Sequence, residues 1–475
     1  TKIYNGGYLM KKLMLMCGPF GTRSGYGDHA RDIFHSFYDS DKYDIVVWDT
    51  RWGDTPRNAL DENNEKDKKI IDSLSPNHQI ERQPDVYVDV RVPNEFNPIG
   101  KFNIGITAGI ETTAVSAPWI EGANRMQLLI VPSQHSKFGF TNASYEKLHK
   151  LPDGNTAPAG NLVTEPPIEV VFEGEDLNIW KKLDENELKS FDIFNDINEM
   201  VKEDFAFLFT GLWGKGNYGE DRKDTGRLIK VFLETFANQE NPPALILKTN
   251  GATYSVMDRE MTLSKIKDVK DKFPRGIKLP NIYLIHGGLS SEGMNALYNH
   301  PKIKSMVSFS HGEGFGRPLL EATLVGLPVI ASGWSGQLDF LDRDNSILLG
   351  GELGKIPQSA VWENVLIPES EWFNVHENEA SKALKFAFEN EPSLKKAATK
   401  LMKINREKFS HQNMTKVLNG VVDNWIGFFD ERNENVMEWV GPDGKSRNYG
   451  RNGNIEFSEK QPTAVPFKLP VLEKV

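Results

Sequence analysis

The run Ser305–Glu321, SMVSFSHGEGFGRPLLE, limits the possible folds more than any other part of the chain. Its first part, Met306 to Ser310, is mostly apolar and predicts a short buried strand. Three glycines follow between His311 and Arg317, and Pro318 suits the first position of a helix. A strand, a glycine-rich loop and a helix N-terminus in series offer free backbone N–H groups and a positive dipole end to an anion. The stretch therefore predicts an α/β fold with an anion-binding loop.

Two carboxylates, Glu313 and Glu321, flank this loop. They would repel an anion unless they bind another part of the same ligand. Vicinal sugar hydroxyls are natural donors to a carboxylate. The chemistry of the stretch therefore predicts a ligand that contains both phosphate and sugar, such as a sugar nucleotide.

Length and composition narrow the class of protein. A chain of 475 residues is too long for one ordinary core, so two domains are expected. The net charge of -10 argues against a general binder of nucleic acid. The single cysteine, Cys17, excludes an intramolecular disulfide framework and favours a cytoplasmic protein. No stretch reaches the length of a transmembrane helix, so any membrane contact is expected to be peripheral.

Apolar runs alternate with helical patterns along the chain, which predicts a doubly wound parallel sheet in each half. The predicted strands are 13–17, 44–49, 86–90, 102–107, 128–131 and 168–172 in the first half, and 205–210, 244–248, 282–285, 306–310 and 328–331 in the second. The predicted domains are 1–178 and 179–412, followed by a region 413–475 that contains a helix over 413–429 and a tail without a clear pattern. The proline-rich segment 151–167 is predicted to be a surface loop.

Other residues could serve a site at the carboxyl edges of these sheets. Glu111 follows the fourth strand, and open α/β sheets bind ligands at that edge. The glycine-rich segment Gly18 to Gly27 either lines a cleft or makes a tight turn. His286 and His311 are each either ligand contacts or hydrogen-bonded structural residues.

The run HGEGFGRPLLEATLVGLPVIAS resembles the E-x7-E signature of retaining GT-B glycosyltransferases, the large group that includes sucrose and glycogen synthases and bacterial mannosyltransferases. The segments FLFTGLW and NIYLIHGGLSSEGMNALY are similar to other parts of that family, and the resemblance covers roughly residues 13–350. It implies two Rossmann-like domains that face each other across a cleft. The N-terminal domain would take the acceptor and the C-terminal domain the nucleotide sugar, with the final helix crossing back to the first domain.

The resemblance also implies roles for the cations. Lys223 matches the diphosphate-binding lysine of the family. Leu212 and Trp213 stand where the family has an arginine, so Arg222 or Arg317 is expected to substitute for it. Lys223 and Arg222, together with Glu313, are therefore the expected catalytic residues.

Donor contacts are implied in the same way. Glu321 would accept hydrogen bonds from the ribose hydroxyls, an assignment that suits a place in the first turn of the helix. Glu313 would lie by the hydroxyls of the transferred sugar, near the amides of Gly314, Phe315 and Gly316 and the phosphates. The remaining implied contacts are the base-side His286, the glycines Gly21 and Gly25 of the N-terminal loop, and Arg317. Glu111 stands near the expected place of a cleft histidine, and is either an acceptor-side carboxylate or structural.

These observations predict a retaining glycosyltransferase that moves a sugar from a nucleotide-diphosphate sugar to a hydroxyl of a carbohydrate or lipid-linked glycan. No cofactor or metal is expected, because the family binds the diphosphate with protein cations. Asp342 and Asp344 have the spacing of a DxD metal motif, but they lie in a predicted surface turn. Three alternatives stay open: a phage-type enzyme acting on hydroxymethylated DNA, a non-catalytic sugar-nucleotide-binding protein, and another nucleotide-sugar enzyme such as an epimerase.

Overall fold

The computed structural model describes residues 11–150, 155–216, 218–251, 253–434, 436–440 and 446–450. They divide into two compact units, one that ends at Val421 and one that begins at Val422. Among the described helices, none is long and apolar enough to cross a membrane.

The first sheet is six-stranded and entirely parallel, in the order β2-β1-β3-β4-β5-β8. Its strands are β1 (Lys12–Gly18), β2 (Tyr43–Asp49), β3 (Val86–Val90), β4 (Phe102–Ile106), β5 (Leu128–Val131) and β8 (Ile168–Val170). The intervening β6 (Tyr145–Lys150) and β7 (Thr156–Leu162) form a separate antiparallel pair.

The second sheet is also six-stranded and parallel, in the order β11-β10-β9-β12-β13-β14. Its strands are β9 (Ala206–Thr210), β10 (Ala244–Lys248), β11 (Ile282–Ile285), β12 (Ile303–Ser308), β13 (Val329–Ser332) and β14 (Ile347–Leu349). Counted within the sheet, the order is 3-2-1-4-5-6, which is that of the Rossmann fold. The chain reverses direction across the sheet between β9 and β12, and ligands of such sheets bind beyond the carboxyl ends of the strands at that point.

Helices cover both faces of the two sheets, which is why strands such as β10 are buried along their whole length. The helices are α1 (Gly25–Tyr38), α2 (Glu65–Ser73), α3 (Ala117–Ala123), α4 (Gln134–Asn142), α5 (Glu185–Lys189), α6 (Asp192–Met200), α7 (Thr225–Phe236), α8 (Val256–Lys270), α9 (Ser291–Asn299), α10 (Arg317–Leu324), α11 (Glu377–Glu389), α12 (Glu391–Lys408) and α13 (His411–Glu434). In α7, Leu228, Ile229, Phe232 and Phe236 recur at helical spacing and are fully or almost fully buried against the sheet.

The start of α13 packs on the first domain. The hydroxyls of Thr415 and Ser36 lie 2.9 Å apart, and the amide of Asn419 donates to the carbonyl of Ser36 at 2.9 Å. The second unit contains the end of α13 and the antiparallel pair β17 (Val436–Val440) and β18 (Ser446–Gly450). β15 (Gly351–Lys355) and β16 (Glu371–Val375) form one further antiparallel pair, in the first unit.

The α/β class and the two parallel sheets are confirmed, and every predicted strand is present within a few residues of its expected bounds. The prediction of a loop over 151–167 is wrong, because 156–162 pairs with β6 through backbone hydrogen bonds. The first helical residue of α10 is Arg317 and not Pro318, so Glu321 lies in the second turn and not the first. The domain bounds at 178 and 412 stay predictions, and the tail after 450 lies outside the described residues.

Two glycines in the loop after β12 allow the backbones of the two domains to come into contact. A Cβ atom at Gly314 would lie 2.1 Å from the carbonyl oxygen of Ala108, and one at Gly312 would lie 1.9 Å from that of Glu111. The carbonyl of Gly314 in turn accepts a hydrogen bond from the hydroxyl of Ser133 at 2.6 Å. The loop after β12 therefore needs glycine to touch the backbone of the first domain.

We expect Gly314→Ala to lower the free energy of unfolding by about 1–3 kcal/mol, because the new methyl group meets backbone that cannot rotate away. Urea denaturation measures this change. The matched control is Gly420→Ala in α13, where a Cβ meets no atom within 4 Å. There we expect a gain of about 0.5–1 kcal/mol, since alanine favours a helix interior. Equal effects at both sites would contradict the close approach.

Candidate active site

The loop between β9 and α7 delivers two adjacent cations, Arg222 and Lys223, to the point where the second sheet reverses. Asp224 follows them in the left-handed region with φ of 49° and is the N-cap of α7. The backbone of this loop is tied to the neighbouring loop, since His311 N–H donates to the Arg222 carbonyl at 2.9 Å. Lys223 is buried, and Arg222 is partly exposed.

The loop between β12 and α10 delivers Glu313 from the other side of the same point. The N–H of Glu313 donates to the Ser335 hydroxyl at 2.9 Å, and its carbonyl accepts from Gly336 N–H at 3.0 Å. Ser335 itself has φ of 74°, which is uncommon for a residue with a side chain. Its hydroxyl also donates to the Gln337 side chain at 2.7 Å. The segment after β13 therefore holds the backbone of Glu313 in place. The sequence of this segment did not indicate that role.

The side chains from these loops form one ionic cluster, in which Lys223 and Glu313 are buried. Lys223 Nζ donates to Glu313 Oε1, and Arg222 Nη1 lies 3.3 Å from Glu313 Oε2. The same guanidinium nitrogen lies 3.5 Å from Glu111 Oε1 of the first domain. Two cations and two carboxylates from both domains are therefore in contact, and three of the four are expected catalytic residues.

Electrostatics decide the charge state of the cluster. Burial alone would raise the pKa of Glu313, but Lys223 and Arg222 outweigh it and lower the pKa to about 2. Burial raises the pKa of Glu111, and Arg222 only partly offsets that effect. Glu313 is therefore ionised at neutral pH and binds both cations as an acceptor.

The backbone beside Glu313 offers N–H donors to a ligand. Within the described part of the chain, no acceptor lies in hydrogen-bond contact with the N–H groups of Gly314, Phe315 or Gly316. Gly316 has φ of 101° and precedes the first turn of α10. The Phe315 side chain is buried against Phe340 and Phe409, so only its backbone faces the site. The loop keeps the properties of an anion site.

Glu321 lies apart from this cluster and is held by Tyr298, whose hydroxyl donates to Glu321 Oε2 at 3.1 Å. The tyrosine ring is itself stacked on Trp180, with ring centroids 5.7 Å apart. Burial raises the pKa of Glu321 to about 7, although Arg317 and the tyrosine hydroxyl act against it. Tyr298 was missed in the sequence because a tyrosine on an amphipathic helix gives no sign of its partner.

Arg317 does not join the cation cluster. Its guanidinium lies 2.7 Å from Asp32, 3.5 Å from Glu173 and 3.1 Å from Glu175, all in the first domain. Its side chain is 15% exposed, so these contacts are shielded from water. Burial raises the pKa of Glu173 to about 7, since one arginine does not balance three carboxylates. The structure therefore uses Arg317 to bind the first domain, which leaves Arg222 as the arginine beside Lys223.

The remaining predicted donor residues lie elsewhere on the sheet edges. Gly21 N–H donates to Asp49 Oδ1 at 2.9 Å, and Gly25 is the first residue of α1. His286 follows β11, and its Nε2 lies 3.9 Å from Asp258 Oδ2. The described contacts bring none of these three to the ionic cluster. Among the described residues there is also no group of three or more His, Cys, Asp or Glu side chains that could hold a metal ion.

The segment 351–375 reaches from the second domain to both sides of the cluster, which sequence reasoning missed. Thr113, two residues after Glu111, exchanges two hydrogen bonds of 2.9 Å with the backbone of Glu371. On the other side, Phe373 N–H donates to the His311 carbonyl at 2.9 Å, and the imidazole of His311 stacks on Trp372 with centroids 4.0 Å apart. His311 is thus a buried structural residue, one of the two alternatives that its sequence left open.

No protein-family model matches the chain, and no curated protein matches it in sequence. Solved structures do match its fold. HepE from Anabaena, in complex with UDP and glucose, is 13% identical, with a TM-score of 0.56 over 87% of this chain and 100% of that one. Sucrose-phosphate synthase from Thermosynechococcus elongatus is 11% identical, with a TM-score of 0.56 over 88% and 100%. Trehalose 6-phosphate synthase from Burkholderia multivorans is 9% identical, with a TM-score of 0.54 over 89% and 100%. The chain has the GT-B fold of these enzymes.

Removal of Arg317 should destabilise the protein strongly. We expect Arg317→Met to cost about 3–5 kcal/mol of unfolding free energy, because it leaves buried carboxylates without a cation. Arg82→Met, at an exposed pair with Asp85, should cost at most about 1 kcal/mol. Urea denaturation of both variants measures the difference.

The pH dependence of that loss gives a second readout. A raised carboxyl pKa means that the folded state keeps a proton that the unfolded state releases, so stability falls as pH rises toward the folded pKa. The loss in Arg317→Met should therefore be larger at pH 8 than at pH 6. A loss that does not change with pH would contradict the proposed role of the arginine.

Proposed function

We propose that the protein is a retaining glycosyltransferase that transfers a sugar from a nucleotide-diphosphate sugar to a hydroxyl group of an acceptor. The observation that carries this proposal is the meeting of Lys223, Arg222 and Glu313 at the reversal point of the second sheet, beside free backbone N–H groups. Ligands of such sheets bind at that point, and a diphosphate requires cations and amide donors.

Donor binding is proposed to be an exchange of partners. Without a donor, Lys223 and Arg222 neutralise Glu313. A donor brings phosphate oxygens for the two cations and sugar hydroxyls for the carboxylate, so each group replaces one hydrogen-bonded partner with another. The exchange keeps each buried charged group hydrogen-bonded, and a buried charge without any partner would be costly.

The same cations would serve the chemical step. The bond between the anomeric carbon and the phosphate oxygen breaks while the bond to the acceptor oxygen forms on the same face of the sugar. Negative charge grows on the departing diphosphate, and fixed donors that face it lower the barrier. The departing phosphate oxygen takes the proton of the acceptor hydroxyl, so no protein nucleophile is needed. We propose that Lys223 and Arg222 supply this stabilisation and that no metal ion is required.

The comparisons support the donor assignment through the fold alone. The HepE structure contains UDP and glucose, which are the parts of a nucleotide sugar. The two other enzymes are synthases of phosphorylated sugars by name. An equivalent donor site is consistent with the cluster and the loop amides of this chain.

The acceptor is proposed to bind on the side of the first domain, near Glu111. This carboxylate contacts Arg222 and is partly exposed, so it lies at the edge of the cluster that a second substrate reaches. We propose a hydroxyl of a carbohydrate or lipid-linked glycan as the acceptor. The net charge of -10 makes DNA the less favoured alternative.

Lys223→Met should reduce turnover by about 10²–10³-fold, because it removes one preorganised donor to the leaving group. Transfer of radiolabelled sugar from nucleotide sugars to a panel of glycans, lipid-linked glycans and hydroxymethylated DNA measures this rate. Lys230→Met is the control, since this lysine pairs with Glu377 on the surface of α7 and should change little. Product on DNA alone would contradict the proposed glycan acceptor and would make hydroxymethylated DNA the acceptor.

The products test the mechanism further. Proton NMR of the product should show the anomeric configuration of the donor, and EDTA should leave the rate unchanged. An inverted product would contradict the same-face step and would make Glu111 the expected general base.

Affinity for an intact nucleotide sugar should rise by up to about tenfold from pH 6 to pH 8, because the ionised fraction of Glu321, with a pKa of about 7, rises by that factor. A protonated carboxyl accepts more weakly, because one of its oxygens carries the proton, so a tenfold rise is the upper limit. Calorimetry with a nucleotide sugar measures this, since its phosphates do not titrate near neutral pH.

Glu321→Gln should bind more weakly and with no such pH dependence. The control is Glu203→Gln, because Glu203 also accepts from a tyrosine hydroxyl, that of Tyr283 at 3.0 Å, but lies near the opposite edge of the sheet. A pH profile that persists in Glu321→Gln would move the ribose contact to another residue.

A further inference from the structure

Lys248 is a buried lysine that the proposed reaction leaves without a role. It is the last residue of β10, and its side chain lies at the carboxyl edge of the second sheet. The residue is 8% exposed, and its Nζ donates to the carbonyl oxygen of Gly287 at 2.7 Å. Among the described residues no carboxylate pairs with it. An ammonium group with three donors therefore has one protein acceptor at this edge.

Burial without an ionic partner is costly for a lysine. The cost is visible in its pKa, which burial lowers to about 8, so the side chain is still mostly cationic at pH 7. A cation kept in such a place indicates an acceptor that is supplied by a ligand.

The side chain lies on the sheet face that holds Glu321. Ala244 and Ile246 of β10 pack in the same apolar core as Tyr298, while Leu245 and Leu247 pack in the core on the other face. Because side chains alternate along a strand, Lys248 belongs to the face of Tyr298. Tyr298 is the residue that donates to Glu321. A nucleoside whose ribose is bound by Glu321 thus has Lys248 on the same side of the sheet.

The backbone beyond Lys248 borders open space at Gly287. Gly287 has φ of 130°, and a Cβ placed on it would meet no atom within 4 Å. Its carbonyl oxygen has a second lone pair besides the one that accepts from Lys248. Lys248 and the Gly287 carbonyl therefore form a neighbouring donor and acceptor beside open space.

From this geometry we infer that Lys248 and the Gly287 carbonyl read the base of the donor nucleotide and select a base with a keto oxygen next to a ring N–H, which is uracil, thymine or guanine. Lys248 donates to the keto oxygen, and the Gly287 carbonyl accepts from the ring N–H. Cytosine and adenine present an amino group and an unprotonated ring nitrogen at that edge, so both contacts become repulsive. This inference rests on the proposed function, because it specifies the donor of the same site.

Calorimetry with free nucleoside diphosphates and the intact protein tests the inference within pairs of equal ring size. UDP should bind at least about 10-fold more tightly than CDP, or GDP than ADP, because hydrogen bonds to a charged donor are worth about that factor or more. Lys248→Met should lower the preferred ratio by weakening the keto nucleotide more than its amino counterpart, while the Gly287 carbonyl keeps part of the preference through the ring N–H.

The matched control is Lys302→Met, because Lys302 also donates to a backbone carbonyl, that of Val201 at 2.5 Å, but precedes β12 at the amino edge of the sheet. It should leave the ratio unchanged. Equal binding of keto and amino bases by the wild-type protein would overturn the inference alone, and so would an equal loss for all bases in Lys248→Met. The wild-type ratios decide the matter even if that variant does not fold. Failure of every diphosphate to bind would overturn the proposed function and the inference with it.

Discussion

The ion pairs of Glu313 with Lys223 and Arg222 are the interaction on which the rest of the site depends. They join loops from β9 and β12, the two strands between which the second sheet reverses. Both loops end in residues with left-handed backbone, Asp224 and Gly316, just before a helix begins. The Rossmann order of the strands and the positions of the charges are therefore linked, because another strand order would separate the two loops.

Charges also connect the two halves of the first unit. Arg222 reaches Glu111, and Arg317 reaches Asp32, Glu173 and Glu175, so two arginines of the second domain contact acids of the first. The glycines of the β12–α10 loop allow the backbones to approach between these contacts. A donor that draws Arg222 away from the carboxylates would therefore act on the contact between the domains as well as on the site.

Periodicity was sufficient to predict both sheets. The family resemblance pointed to Glu313 and Lys223 and to Arg222 or Arg317 as the arginine, and the first three are in contact. Neither was sufficient for Arg317, because its acidic partners are far away in sequence and nothing local distinguishes an arginine for phosphate from one for carboxylates. The roles of Tyr298 and of the segment 351–375 could not be predicted for the same reason, because their partners are distant in sequence. The contact of Gly312 and Gly314 with the first domain was also not predictable, because the backbone of Glu111 and Ala108 that they approach is distant in sequence.

We propose that the donor replaces Glu313 as the partner of Lys223. The distance from Lys223 Nζ to the nearest phosphate oxygen, in a crystal structure with the most tightly bound nucleotide sugar, tests it most directly. We predict a hydrogen bond of about 2.7–2.9 Å to phosphate, with Glu313 accepting from a sugar hydroxyl. A lysine that still donates to Glu313 while the diphosphate binds elsewhere would contradict it.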